Sequence, residues 1–168
     1  MHELWVLLPV AGAPLLHGPV LAAGLLPALA RPLDGGRHLG GRRILGDNKT
    51  WRGALVMTAG VVLAALVLWQ WPWWRDQLPD PVRDAGPVLL GLLLGLGTVL
   101  GELPNSFLKR RLDVAPGTQR RSAAGLALTV LDQGDLVVGI WVCLLPLWVM
   151  SLDVRSSRSS RSRRSTSW

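Results

Sequence analysis

Cysteine is nearly absent. Cys143 is the only one in 168 residues, so the chain forms no intramolecular disulfide and no thiolate zinc cluster. It lies in an apolar run, which suits a packing residue. Acidic residues are also few, 11 against 18 Lys and Arg, and the net charge of +7 excludes a strongly acidic surface. Charge of either sign is almost missing from residues 4–30, 54–71, 86–100 and 136–152. No basic n-region precedes the first of these runs, and no small-residue cleavage site follows a short apolar stretch. A cleaved signal peptide is therefore not expected. No internal repeat is evident.

What remains is apolar. Hydrophobic residues make up 49% of the chain, and the mean hydropathy is +0.33, too high for an ordinary soluble domain. About 20 apolar residues cross a bilayer core, so each of the four runs is a candidate span. The third is short unless it extends toward Phe107. Its glycines Gly91, Gly95 and Gly101 allow helices to approach closely in lipid. Pro9, Pro14, Pro19 and Pro27 punctuate the first run, which predicts a kinked or broken segment. The expected fold is an all-α polytopic membrane bundle over residues 1–152, with four spans evident. The Arg/Ser-rich residues 153–168 are expected to be a disordered tail.

The connections carry the charge. Residues 31–53 hold six cations against two aspartates, and residues 102–121 hold five cations against Glu102 and Asp113. Residues 75–84 hold two arginines against three aspartates. The positive-inside rule makes the first and third connections two large cytoplasmic loops and puts the second outside, beside an aromatic belt of Trp69, Trp71, Trp73 and Trp74. Nucleic acid is not an expected partner, because the cations are interleaved with spans. Basic loops tethered at a membrane face suit an anionic ligand or lipid headgroups.

Three clusters fall on that face. The loop from Asp34 to Gly53 contains GDNKTWRG (residues 46–53). Its glycines Gly35, Gly36, Gly40, Gly41, Gly46 and Gly53 let backbone N–H groups approach a ligand, and Arg37, Arg42, Arg43, Lys49 and Arg52 supply charge for a polyphosphate. A positive-inside anchor alone would not require Asp47, Asn48 and Thr50 in one short stretch. Lys49-Thr50 lacks the preceding strand and glycine spacing of a P-loop. In residues 102–117, Ser106, Lys109 and Arg110 share a helix face able to grip a phosphate, with Glu102 at the end of the third span. In LDQGD, residues 131–135, the carboxylates of Asp132 and Asp135 lie three apart with apolar flanks. Oxygen ligands beside a phosphate site suit Mg²⁺, although a helix cap or pairing with loop arginines would also use them. Together the clusters point to phosphoryl or nucleotidyl transfer to a lipid.

At these residues the chain resembles the membrane CTP:lipid-phosphate cytidylyltransferases, specifically the CDP-archaeol synthase family. The resemblance rests on PLDGGRHLGGRRILGDNKTWRG (32–53), GELPNSFLKRRL (101–112), Pro116-Gly117 and LDQGD (131–135), in order across residues 32–152. SFLKR and DQGD also resemble the S-x-x-K-R and D-x-x-D elements of bacterial CDP-diacylglycerol synthases. The resemblance implies a Mg²⁺-dependent reaction at the cytoplasmic face of the cell membrane, in which CTP and a lipid phosphate give a CDP-lipid and diphosphate. It implies that Asp132 and Asp135 hold the metal, with help from Glu102 or Asp47. Lys49, Arg52, Lys109 and Arg110 would neutralise phosphates, and Asn48, Thr50 and Ser106 would donate hydrogen bonds. Gly46 and Gly53 would let the backbone come close, while Trp51 anchors the loop at the interface.

Two departures accompany the resemblance. Glu102 stands where many relatives are expected to carry Asp. The family is expected to finish with a fifth helix, where this chain has RSSRSSRSRRSTSW. A fourth span leaving the cytoplasm would put five arginines outside, against the charge rule, so a truncated, frame-shifted or divergent end is expected. The competing class is a small non-enzymatic membrane protein that binds anionic lipid, in which Lys49, Lys109 and Asp132 would tolerate neutral substitution. A CDP-alcohol phosphotransferase would show four spaced aspartates on successive helical turns, and these are not found.

Overall fold

The computed structural model describes residues 2–112 and 123–147, with side-chain surroundings for 4–112 and 134–147. The first apolar run is broken as its prolines predict. A 3₁₀ helix, His2–Ala11, contains Pro9 and passes into helix α1, Gly12–Ala22. The run ends there as a helix, short of residue 30. Gly24 and Leu26 take positive φ, and Pro27–Leu29 form one 3₁₀ turn.

Helix α2, Trp51–Leu68, starts at a Thr50 N-cap whose Oγ1 accepts the Gly53 N–H at 3.1 Å. A short helix α3, Pro72–Arg75, follows. Helix α4, Asp80–Arg111, is interrupted at Gly86, where φ is 78° just before Pro87. It therefore runs well past Phe107 and carries Ser106, Lys109 and Arg110 on one continuous helix. Helix α5, Ala123–Leu144, begins earlier than the apolar run at 136 suggests. Asp132 and Asp135 consequently lie within the helix rather than at its N-cap. The tail 153–168 lies outside the described residues. Among the described residues three helices, Leu4–Ala22, Trp51–Leu68 and Asp80–Arg111, are long and apolar enough to cross a membrane, and Gly134–Leu144 is a shorter apolar segment. The polytopic helical bundle is borne out.

The loop before α2 adds a feature to that all-α reading. Strands β1, His38–Leu39, and β2, Arg42–Arg43, pair antiparallel. Gly40 and Gly41 join them with φ of 59° and 76°, and two successive positive-φ residues are what a two-residue type I′ hairpin turn demands.

Glycine also sets the bundle order. A Cβ at Gly12 would overlap the Gly60 carbonyl oxygen, which closes α1 on α2. A Cβ at Gly95 would lie 2.8 Å from the Thr58 Cα, which closes α2 on α4. On another face of α4, a Cβ at Gly97 would lie 2.6 Å from the Ile140 Cα, and one at Gly101 would overlap the Asp135 carbonyl oxygen. Gly91/Gly95 and Gly97/Gly101 each repeat at i, i+4, so one helix offers two smooth stripes to two neighbours. At the bundle end away from the hairpin, Trp74 is fully buried and its Nε1 donates to the Trp5 carbonyl at 2.9 Å. Trp5 and Trp73 meet edge to face, 5.6 Å between centroids. Part of the aromatic cluster is thus core, while Trp71 and Trp73 remain exposed.

Candidate active site

The loop over residues 31–50 is held in two places. Asp34 is the first. Its side chain is only 2% exposed and accepts the Gly36 and Leu45 N–H groups and Arg43 Nη2, each at 2.9 Å. Burial alone would raise its pKa. The Arg43 and backbone hydrogen bonds, with the Arg43 charge, outweigh burial and hold the carboxyl below its usual value. Arg43 also pairs with exposed Asp47, Nη1 to Oδ1 at 2.5 Å. The second hold is Arg111 at the end of α4. Its guanidinium donates to the Leu39, Arg42 and Arg43 carbonyls at 2.6, 3.1 and 2.9 Å and lies over the Phe107 ring. Arg42 returns a hydrogen bond to the Arg111 carbonyl at 2.5 Å. The hairpin is thereby fastened to α4 across about 70 residues of sequence.

This frame delivers Lys49. Its N–H donates to the Gly46 carbonyl at 2.9 Å and its carbonyl accepts the Leu33 N–H at 2.8 Å, while the Trp51 N–H reaches the Arg31 carbonyl at 3.0 Å. Pinned between these strands of chain, Lys49 ion-pairs through Nζ with Glu102 Oε2 on α4. The two line a cavity of about 340 Å³ together with His17, Asn48 and Thr50. A Cβ at Gly46 would lie 2.5 Å from Asn48 Oδ1 and 3.6 Å from Arg110 Nε, so the tight loop sits against Arg110. The buried Nε of Arg110 has no hydrogen-bond partner among the described residues.

Other expected residues fall elsewhere. Arg52 donates to the Leu25 carbonyl at 3.2 Å, toward the turn after α1, and Asp47 faces Arg43. Ser106 lies one helical turn beyond Glu102, with Lys109 and Arg110 about two turns beyond it, on the same face of α4. None of these three lines the cavity. Asp135 is partly exposed on α5, and its backbone lies against Gly101, the neighbour of Glu102. The Asp132 side chain lies outside the described residues. No three His, Cys, Asp or Glu side chains converge among the described residues. Glu102 and Asp135 are nonetheless oxygen donors at one helix crossing. Mg²⁺ commonly takes one or two carboxylates and completes its shell with phosphates and water, so the donor set fits.

Beside the cavity an apolar groove of about 820 Å³ runs along α2 and α4. Leu33, Ala54, Val99 and Leu103 line both.

A family model described as CarS-like, CDP-archaeol synthase, matches residues 1–155. The chain belongs to this family. A CDP-archaeol synthase of Halobacterium salinarum is 42% identical over 150 residues, covering 87% of this chain and 74% of that protein. One from Thermococcus gammatolerans is 40% identical over 116 residues, covering 68% and 60%. A solved structure described as an intramembrane enzyme for archaeal membrane lipids biosynthesis superimposes with a TM-score of 0.60 at 26% identity, over 89% of this chain and 80% of that one. Within a CDP-archaeol synthase frame, three residues here go beyond the sequence-based set. Asp34 and Arg111 organise the loop, and His17 enters the cavity from α1. A histidine inside an apolar span is a functional candidate by default, and that signal was present in the sequence.

Proposed function

We propose that the chain transfers the cytidylyl group of CTP to a membrane lipid phosphate, forming a CDP-lipid of the archaeol type and diphosphate. The observation that carries this reading is the Lys49–Glu102 pair in a cavity lined by polar and apolar side chains, beside an apolar groove. Family membership favours this transferase over a lipid-binding protein without activity.

In this reading Lys49 neutralises phosphate charge, with Arg110 and Lys109 further along α4. Asn48 and Thr50 orient the nucleotide at the start of α2, where the helix dipole favours an anion. An oxygen of the lipid phosphate attacks the α-phosphorus of CTP in line, and the bond to the β-phosphate oxygen breaks to release diphosphate. The attacking phosphate is already largely ionised near pH 7, its second pKa being about 6, so no general base is assigned. Asp132, Asp135 and Glu102 would hold Mg²⁺, which when bound draws charge off the phosphates. The basic loops support a site on the cytoplasmic side of the cell membrane.

The test uses the full chain in liposomes with CTP, Mg²⁺ and lipid phosphate, and follows CDP-lipid and diphosphate. Turnover is expected, and Asp132→Asn and Asp135→Asn should abolish it while insertion persists. No turnover by the full chain, or unchanged turnover in both variants, overturns the reading.

A further inference from the structure

We infer that His17 donates a hydrogen bond to the phosphate of the lipid substrate, and so sets how tightly that substrate, and not CTP, is held. The inference rests on the cavity being the transfer site. His17 is the one titratable or charged side chain in α1, whose sequence GAPLLHGPVLA is otherwise apolar. Polar atoms inside an apolar span cost free energy unless something binds them, which is why such residues line substrate paths. His17 is half-buried, and neither ring nitrogen makes a hydrogen bond among the described residues. Arg52, by contrast, uses its guanidinium on the Leu25 carbonyl. A histidine kept to fasten α1 would do likewise.

Its direction is fixed by α2. A Cβ placed on Gly53 would stand 3.6 Å from His17 Nε2 and 3.5 Å from Thr50 Oγ1. The two polar atoms thus meet at the first turn of α2. Thr50 Oγ1 already accepts the Gly53 N–H, which leaves Nε2 as the donor in want of a partner at this corner. Asn48 and Lys49 of the loop and Glu102 of α4 supply the other polar lining of the cavity. Position then selects the substrate. Leu15 and Leu21 are 74% and 50% exposed, so α1 is the wall between cavity and bilayer. His17 stands five residues before the end of α1, about 7.5 Å at 1.5 Å per residue. A phosphate carried by a membrane lipid meets this wall, whereas a nucleotide arrives over the loop.

His17→Leu suits the apolar helix and removes the donor. In the liposome assay it should raise KM for a lipid phosphate at least tenfold and leave KM for CTP within twofold. His17→Gln, which restores an N–H donor, should bring KM for the lipid phosphate back to within threefold of the unaltered chain. Unchanged KM for the lipid phosphate in His17→Leu, an equal rise for CTP, or no recovery in His17→Gln overturns the inference.

A second readout needs neither a variant nor turnover. Diethyl pyrocarbonate carbethoxylates accessible imidazoles, and mass spectrometry of the unaltered chain in liposomes compares His17 with exposed His38 on the hairpin. A long-chain lipid phosphate should slow modification of His17 at least fivefold and leave His38 unchanged. The matching lipid alcohol, which lacks the phosphate, should not protect His17, and neither should CTP alone. Equal protection by the alcohol or by CTP alone overturns the inference. Absence of protection in a chain that turns over CTP overturns the His17 contact and leaves the reaction standing. Protection by the lipid phosphate without CTP turnover supports the contact while the proposed reaction fails.

Discussion

At the scale of single residues, charge pairing organises the site. Lys49 and Glu102 come from segments 53 positions apart and are each only partly exposed. Removing either should cost activity by a factor of about 10²–10³, the usual effect of deleting one charge-stabilising group. Lys49→Met and Glu102→Gln should each also lower thermal stability by leaving a partner unpaired. The double variant should lose less stability than the two losses added, and thermal melts in detergent check this coupling. Asp34 gives a pH prediction. Its carboxyl is held below the usual value, so its contribution is fully present above about pH 3.9. It is lost as pH falls through the lower folded-state value. Hydrogen exchange at the Leu45 amide should accelerate in that acid range, and Asp34→Asn should exchange fast at every pH. The GDNKTWRG stretch was legible as a site because its polar residues have no reason to sit in a mere connection. Asp34 and Arg111 were not, because most of their partners are backbone atoms brought near by folding, which residue type does not reveal.

At the scale of elements, the helix crossings decide where side chains can meet. Gly101 packs directly on the α5 backbone, whereas a Cβ at Gly134 would meet nothing within 4 Å. Gly101→Ala should therefore destabilise by about 1–3 kcal/mol, the typical cost of overpacking. Gly134→Ala should be neutral or stabilise by up to about 1 kcal/mol through helix propensity. Thermal unfolding of the two variants side by side separates these outcomes. Apolar runs mark the three membrane-length helices near their observed positions. The start of α5 at Ala123 is hidden, since polar residues in LDQGD interrupt the apolar pattern without ending the helix. The second stripe, with Gly97, is hidden as well. Where lipid and protein are equally apolar, periodicity does not tell which face of a helix meets a neighbour.

At the scale of the whole molecule, the two ends are chemically opposite. One carries the hairpin, Lys49 and the arginines, and the other carries the tryptophans and three aspartates near α3. The charge rule then predicts orientation. In a Cys143→Ser background, Arg37→Cys should react with an impermeant maleimide only in inside-out vesicles, and Gln77→Cys only in intact cells. The opposite pattern would move the site to the outer face. This polarity was legible from the sequence alone, because it depends on where charges lie along the chain and not on how helices pack.

The seam between α4 and α5 has one more consequence. Backbones that touch through glycine leave no side-chain layer to shear, so α5 can neither slide nor rotate against α4 without collision. The hairpin, by contrast, is fastened by hydrogen bonds at an exposed edge, each worth about 0.5–1.5 kcal/mol and readily replaced by water. Any breathing that admits a nucleotide thus belongs to the hairpin half, while the half that bears Glu102 and Asp135 stays still as an anvil.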